Sequence, residues 1–510
     1  MQRVGIIDLG SNSARLVIVR IYKNSSNQMI YNHKISLRLG QRINKNGEIT
    51  KDAIKDIVDA VKKFSHMCTL FDAKTILAVA TAAMRSAKNG PDIVEIIKAK
   101  TGIDVKIISG EQEANYGYIG TINSLDIKNA VLFDLGGGSL EVVLVKNRQP
   151  EHMASLNIGT TTMTEKFKTA DKMSSKTYRE LSSYVEQKLK KTLPWLKNSK
   201  LPIIGIGGTV RNIAKMHQRR VEYAYPKLHN YQMQMPDFDE IFNLMRNTNY
   251  EERKKLPGLS SERADIILAG ATVIKTLFST VKNKEFIISG CGLREGVFYD
   301  YHLTKLGLPN IIDNILESSM KDLLAFTLGN DTHSQKVAVM AEKMFNAWKS
   351  LHKLSNEDFK ILHVASTLHD IGISINYYAH PRHSAYLIEN APLMGVTHRE
   401  QILAALIAQW HNGASLKNLR NKLYKDFLSE KDLAVARKLA VFLAMAENLD
   451  FTETNVIKDI YPDVLSDGRA VLGIASDDTH GIELGELKNN LDWFKKEFKT
   501  ELVLREIKDK

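Results

Sequence analysis

At 510 residues, with 44% hydrophobic and 25% charged content, the chain can bury several cores, and three or four domains are expected. Lys plus Arg outnumber Asp plus Glu by 70 to 58, a net charge of +12. That balance favours polyanions, but without an arginine-rich arm or interleaved aromatics it does not point to nucleic acid. No stretch reaches the roughly 18 apolar residues that span a bilayer, an apolar strand pattern follows Met1 with no signal peptide expected, and Cys68 and Cys291 lack metal-type spacing. A cytoplasmic protein without a membrane partner is expected.

In chain order, β-branched runs alternate with amphipathic helical stretches up to about residue 300, with strands near Val4, Arg15 to Tyr22, Ile76 to Val79, Val105 to Ile108 and Ala130 to Phe133. Beyond about residue 310 long helical periods take over, at Ser334 to Leu351, Phe359 to Leu368 and Leu433 to Met445. A last segment, Arg469 to Ile474 and Thr500 to Leu504, reads again as strand. The pattern is therefore α/β, then mostly helical, then a small terminal unit.

An internal repeat organises the first part. IDLGSNSARLVIV from Ile7 and FDLGGGSLEVVLV from Phe133 match without a gap, aligning Asp8 with Asp134, Gly10 with Gly136 and Ser13 with Ser139. Each copy reads as strand, tight glycine-rich turn, strand, whose tip offers backbone N–H groups and hydroxyls to a phosphate. Two such tips facing each other would grip a phosphate chain from both sides. Asp8 and Asp134 end the entering strands, so two carboxylates would stand near those phosphates; a hard divalent cation resolves that conflict, with Glu141 a third candidate ligand.

VKIISGEQEANYGYIG runs from a strand into a helix, placing Glu111 and Glu113 in its first turn. Acidic residues favour helix N-termini through the macrodipole alone; the same position also keeps a carboxylate ionised to take a proton from attacking water. Further glycine turns precede probable helices at Gly205 to Thr209 and at Gly290 to Gly296, making Gly208 and Thr209 candidates for an anion site. Arg85 and Arg294 are candidate phosphate contacts.

Taken together and in order, DLGSNS at Asp8, TAAMR ending at Arg85, ISGEQEA at Ile108, DLGGGSLE at Asp134, GIGGT at Gly205, LPGLSSERADIILAG at Leu256 and SGCGLREGV at Ser289 resemble the exopolyphosphatase and guanosine pentaphosphate phosphatase family of bacteria. The resemblance is strong to about residue 300 and less even to about 450. It implies a duplicated α/β actin-like ATPase (ribonuclease H-like) fold, with domains at 1–125 and 126–305, an all-α HD-like domain at 306–465 and a small α+β domain at 466–510. It implies Glu113, directly before Ala in ISGEQEA, as catalytic base rather than Glu111. Asp134 and Glu141 would be magnesium ligands, and Ser11, Asn12, Ser13, Arg85, Gly137, Gly138 and Ser139 would hold phosphates. Leu140 stands where members often have Thr; its side chain should point away from the face shared by Ser139 and Glu141. A homodimer is implied by resemblance alone.

The helical region holds His333, the pair His369 and Asp370, His383, His411 and, in AENLD, Glu447 with Asp450 close behind. Their order resembles HD-domain phosphohydrolases, and implies a possible second metal site of His333, His369, Asp370, His411 and Glu447; the alternative is an inherited scaffold that extends a polyphosphate groove. The expected activity is magnesium-dependent removal of terminal phosphate from inorganic polyphosphate. Alternatives are conversion of guanosine pentaphosphate (pppGpp) to the tetraphosphate (ppGpp), an actin-like ATPase or sugar kinase, and a non-catalytic alarmone or polyphosphate sensor.

Overall fold

The computed structural model describes residues 1–327, 332–412, 422–476 and 481–507. The chain forms two compact units, Met1–Ile315 and Leu316–Lys510. In the first, two mixed sheets repeat one plan. β1 (Gln2–Leu9), β2 (Ser13–Ile21) and β3 (Asn27–Ser36) form an antiparallel meander, and β4 (Thr75–Ala80) and β5 (Val105–Ile107) extend it in parallel from β1, in the order β3-β2-β1-β4-β5. The second sheet has β6 (Ala130–Leu135), β7 (Leu140–Lys146), β8 (Gln149–Leu156), β9 (Ile203–Ile206), β10 (Tyr231–Gln234) and β11 (Glu285–Ile288). Its order, β8-β7-β6-β9-β11, reproduces the first, with β10 added antiparallel at the β11 edge. This is the duplicated actin-like, ribonuclease H-like fold.

Central strands covered on both faces are near-continuous apolar runs. In β1 the alternation still sorts the side chains: Ile7 and Leu9 enter one core with Phe64, while Val4 and Ile6 enter another with Leu293, Val297 and Phe298. The latter three come from the helix Leu293–Lys305, which follows the second sheet in sequence but packs on the first. The reverse holds for the helix Gly110–Ile122, whose Ala114, Tyr118 and Ile119 pack on Leu132, Val143 and Ile204 of the second sheet. The two helices touch backbone to backbone: a Cβ at Gly120 would lie 2.1 Å from the Gly292 carbonyl oxygen, and one at Gly296 1.9 Å from that of Tyr116. Only glycine permits this approach, and the crossing ties the halves together beneath the β1 and β6 tips.

In the second unit the helices Thr332–Ala347, Asn356–Leu368, His398–Trp410 and Glu430–Asn448 bury a core that includes Phe345, Trp348, Leu403 and Phe442. Ser355, Thr397 and Ser429 start three of them with reciprocal capping boxes. β12 (Ile457–Val464) pairs antiparallel with β13 (Ala470–Ser476), which pairs in parallel with β14 (Leu502–Ile507). The helix expected over Ser334 to Leu351 is broken only at Trp348, between Thr332–Ala347 and Lys349–His352; Trp348 leaves the helical geometry, and its buried indole N–H donates to the Asp463 carbonyl at 2.9 Å. Among the described residues no helix is long and apolar enough to cross a membrane, and both cysteines are buried free thiols.

Candidate active site

In each half the strand register brings an acidic residue to the hairpin mouth: Asp8 lies opposite Arg15 across β1 and β2, and Asp134 opposite Glu141 across β6 and β7. The two tips face one another. A Cβ at Gly137 would lie 3.1 Å from Ser11 Cβ, and one at Gly138 3.0 Å from Ser11 Oγ. Between them is a cleft of about 140 Å³ lined by Asp8, Ser11, Asn12, Ser13, Glu113, Asp134, Gly137, Gly138 and Ser139. Gly207 closes its floor at φ +100°, where a Cβ would come within 2.9 Å of Asp134 Oδ1; both the conformation and the space require glycine.

Glu113 reaches the cleft from the first turn of the helix Gly110–Ile122, whose N-cap Ser109 exchanges hydrogen bonds with Gln112. Glu111 is exposed; the helical phase separates the two acids. Arg85 Nη1 donates to Glu113 Oε2 at 2.9 Å and to the Ile108 carbonyl at 2.9 Å. Burial nevertheless prevails over this guanidinium, and with Asp134 and Asp8 nearby pushes the Glu113 carboxyl up to about 7. Glu141 is buried behind Ser139; Ser155 Oγ donates to its Oε1 at 2.7 Å, while Oε2 has no hydrogen-bond partner. Burial and the facing Glu113 hold its carboxyl well above the usual range. Burial also pushes Asp134 up to about 6, against the pull of Arg211.

The profile of the Ppx/GppA phosphatase family matches residues 17–305, and that of Ppx/GppA phosphatase domain III matches residues 318–459. The chain belongs to the Ppx/GppA phosphatase family. A solved exopolyphosphatase from Cytophaga hutchinsonii is similar at 26% identity and a TM-score of 0.56, over 61% of this chain and 99% of that one. The Aquifex aeolicus Ppx/GppA family member is 29% identical with a TM-score of 0.53, over 60% of this chain and 98% of that one. This Ppx/GppA protein is accordingly a hydrolase of phosphoanhydride bonds.

Gly208 lines the cleft, whereas Thr209 does not: its side chain is fully buried, packed at the position of Gly270 on the helix Ile267–Val281. Arg85 holds Glu113 rather than reaching the lining, and Leu140 is buried in the core on the other strand face from Glu141. Sequence reasoning named Arg294, which lines the cleft, and missed Arg15, Arg211 and Arg263, which line it too. Burial, aided by the other guanidiniums, lowers Arg15 and Arg263 to about 10 and also lowers Arg211. Such crowded buried cations invite an anion. The signal available was position: Arg15 follows the first tip, Arg211 the GIGGT turn, and Arg263 lies inside LSSERADI.

In the second unit His333, His369, Asp370 and Glu447 bring one ligand atom each within 4.8 Å of one another, and Asp370, His380 and His411 do the same. His380 is not singled out by the sequence; His383, which is, lies against Gly372 and belongs to neither group.

Proposed function

We propose that this protein removes terminal phosphate from inorganic polyphosphate, with Glu113 as general base. What carries the reading is a carboxyl pushed up to about 7 in a cleft between two facing glycine-serine tips. A base near neutrality is both deprotonated often enough and basic enough to take a proton from water. In this account the tip N–H groups and the Ser11, Ser13 and Ser139 hydroxyls bind oxygens of consecutive phosphates, with Asn12, Gly137, Gly138 and Gly208 beside them. Arg15, Arg211, Arg263 and Arg294 balance the negative charge. Glu113 accepts the proton as water attacks the terminal phosphorus in line, and the shortened chain leaves as a stabilised anion that needs no strong general acid. Arg85, which donates to Glu113 at 2.9 Å, would turn to a phosphate oxygen as substrate binds and return to Glu113 on release.

Asp134 and Glu141 would hold Mg²⁺. They fit it chemically: both offer hard carboxylate oxygens, and Glu141 Oε2 is buried without a partner. Such an ion would offset phosphate charge and polarise a phosphoryl oxygen. Among the described residues lining the cleft none is aromatic, so no ring is offered for a purine to stack on, which favours polyphosphate over pppGpp. The same reading makes the working unit a cytoplasmic homodimer, divided at 125, 305 and 465, with a helical domain of HD type.

The test is phosphate release by the purified protein with magnesium on long-chain polyphosphate, pppGpp and ATP at equal terminal-phosphate concentration. Preference for polyphosphate supports the reading. Preference for pppGpp moves the substrate to the nucleotide, and inactivity on all three removes the enzymatic reading.

A further inference from the structure

A clasp of polar side chains joins the two halves of the first unit beside the cleft. Lys34 stands opposite Arg15 in the register of β2 and β3, and its ammonium pairs with Glu262. Arg38, just past β3, sends its fork two ways: Nη1 pairs with Asp265 Oδ2 at 3.2 Å, and Nη2 donates to the Glu262 carbonyl at 3.1 Å. Gln41 Nε2 adds a long bond to Asp265 Oδ2 at 3.5 Å. Exposed ion pairs add little to stability, so what matters is what these contacts connect.

Each end is tied to a tip or turn that lines the cleft. At the first tip the Asn12 carbonyl accepts from the Leu37 and Arg38 N–H groups at 3.1 and 2.9 Å, and the Ser11 carbonyl accepts from Gly40 N–H at 3.0 Å. At the other end Ser260 N–H donates to Asn212 Oδ1 at 2.8 Å, and Asn212 Nδ2 donates to the Gly208 carbonyl at 2.7 Å. Arg253, with no exposed surface, donates from Nη1 to the Ala264 carbonyl at 2.8 Å. Among these anchors is Arg263, which lines the cleft against Gly208, its Nη2 2.0 Å from where a Cβ on that residue would stand.

Arg263 needs holding. Burial, then Arg211 and Arg15, lower it to about 10, and Glu262 and Asp265 offset them only in part. Crowded like charges repel, and Arg263 ends a short turn, Ser261–Arg263, that could carry it away from the other two. The clasp grips the residue before Arg263 and the residue two after it.

We infer that Lys34, Arg38 and Gln41 are positioning residues, which hold Glu262 and Asp265 so that Arg263 stands at the substrate phosphates before substrate arrives. Its side chain is then already ordered in the free enzyme, and binding does not have to supply that ordering. The inference rests on the reading of Arg263 as a phosphate contact and not on which phosphate chain is cleaved.

The test is a double-mutant cycle between Arg38→Gly and Arg263→Gln in the full-length enzyme with magnesium. It reads kcat and KM on whichever of polyphosphate and pppGpp is turned over, so failure of the polyphosphate reading leaves it standing. Residue 38 has φ 50° and ψ 41°, a left-handed conformation that glycine adopts without strain; the substitution removes the guanidinium and spares the backbone, and a thermal melt checks folding. Arg38→Gly should raise KM about 2- to 10-fold, as for the ordering of one long side chain, with kcat unchanged. It should raise KM no further where Arg263 is already Gln. Lys34→Glu should raise KM as well, and adding Glu262→Lys should bring it back towards wild type. An unchanged KM in Arg38→Gly overturns the proposal, and so does an equal rise with and without Arg263, which would mark a loss of charge alone. Wild-type KM in Arg263→Gln overturns it too, by removing Arg263 from binding.

Discussion

The cleft of the first unit and the histidine cluster of the second both bury carboxylates, yet they balance them with different chemistry. In the cleft Asp8, Glu113, Asp134 and Glu141 stand among Arg15, Arg211, Arg263 and Arg294, permanent cations with no lone pair to give. In the cluster Asp370 and Glu447 stand among imidazoles whose outer nitrogens are tied down. A guanidinium can neutralise and hold a phosphate but cannot ligate a metal; an imidazole fixed at Nδ1 can. Glu141 and Asp370 are both buried acids with an unpartnered oxygen, so what separates the two regions is the company the acid keeps.

That distinction can be broken first at Glu141. Glu141→Gln should lower phosphate release from polyphosphate by on the order of 10³-fold, by analogy with loss of one electrostatic group in a preorganised site, and raise the magnesium concentration needed; near-wild-type turnover would remove it from the chemistry. Arg263→Gln should raise KM about 10- to 100-fold, as for loss of charge-assisted contacts worth about 1.5–3 kcal/mol, with a shallower salt dependence. An unchanged KM would make Arg263 structural.

The Arg85 contact gives a sharper, smaller effect. Burial raises Glu113 while Arg85 lowers it, so the deprotonated fraction rises with pH through about 7. In Arg85→Gln the lowering influence is gone, and the rising limb of kcat/KM should move to higher pH. A limb that stays or moves down contradicts the assignment of Glu113 as the group titrating there. The smallest effect belongs to the second unit. Burial lowers His363, but ion pairs to Glu317 and Glu342 outweigh it and raise it from 6.5 to about 9. Its stabilisation should be complete below about 6.5 and lost as pH rises through about 9. His363→Gln should therefore lower Tm at pH 6 by an amount matching ~1 kcal/mol or less and not at pH 10; a deficit that persists at pH 10 would assign it to packing.

The duplicated architecture was legible because the repeat at Ile7 and Phe133 fixes two hairpins in one register, and hairpin register sets everything built on it. The edge strand β3, NQMIYNHKIS, escaped because its half-exposed side chains leave no apolar alternation to read. Glu113 was distinguishable from Glu111 by motif, and the helical phase supplies the physical reason. The missed arginines look in sequence like any surface cation; only the fold reveals that residues so far apart meet over one cleft. His380 was not legible because Ala379, at φ 59°, starts the helix at His380, a backbone choice that no spacing rule records.

The measurement that bears most directly on the account is the turnover and binding of polyphosphate by Glu113→Gln beside wild type, both with magnesium. The account predicts a loss of turnover of roughly 10³-fold, within the span for a general base, with polyphosphate still bound at near wild-type affinity. Retained turnover, or turnover and binding lost in equal measure, would contradict it.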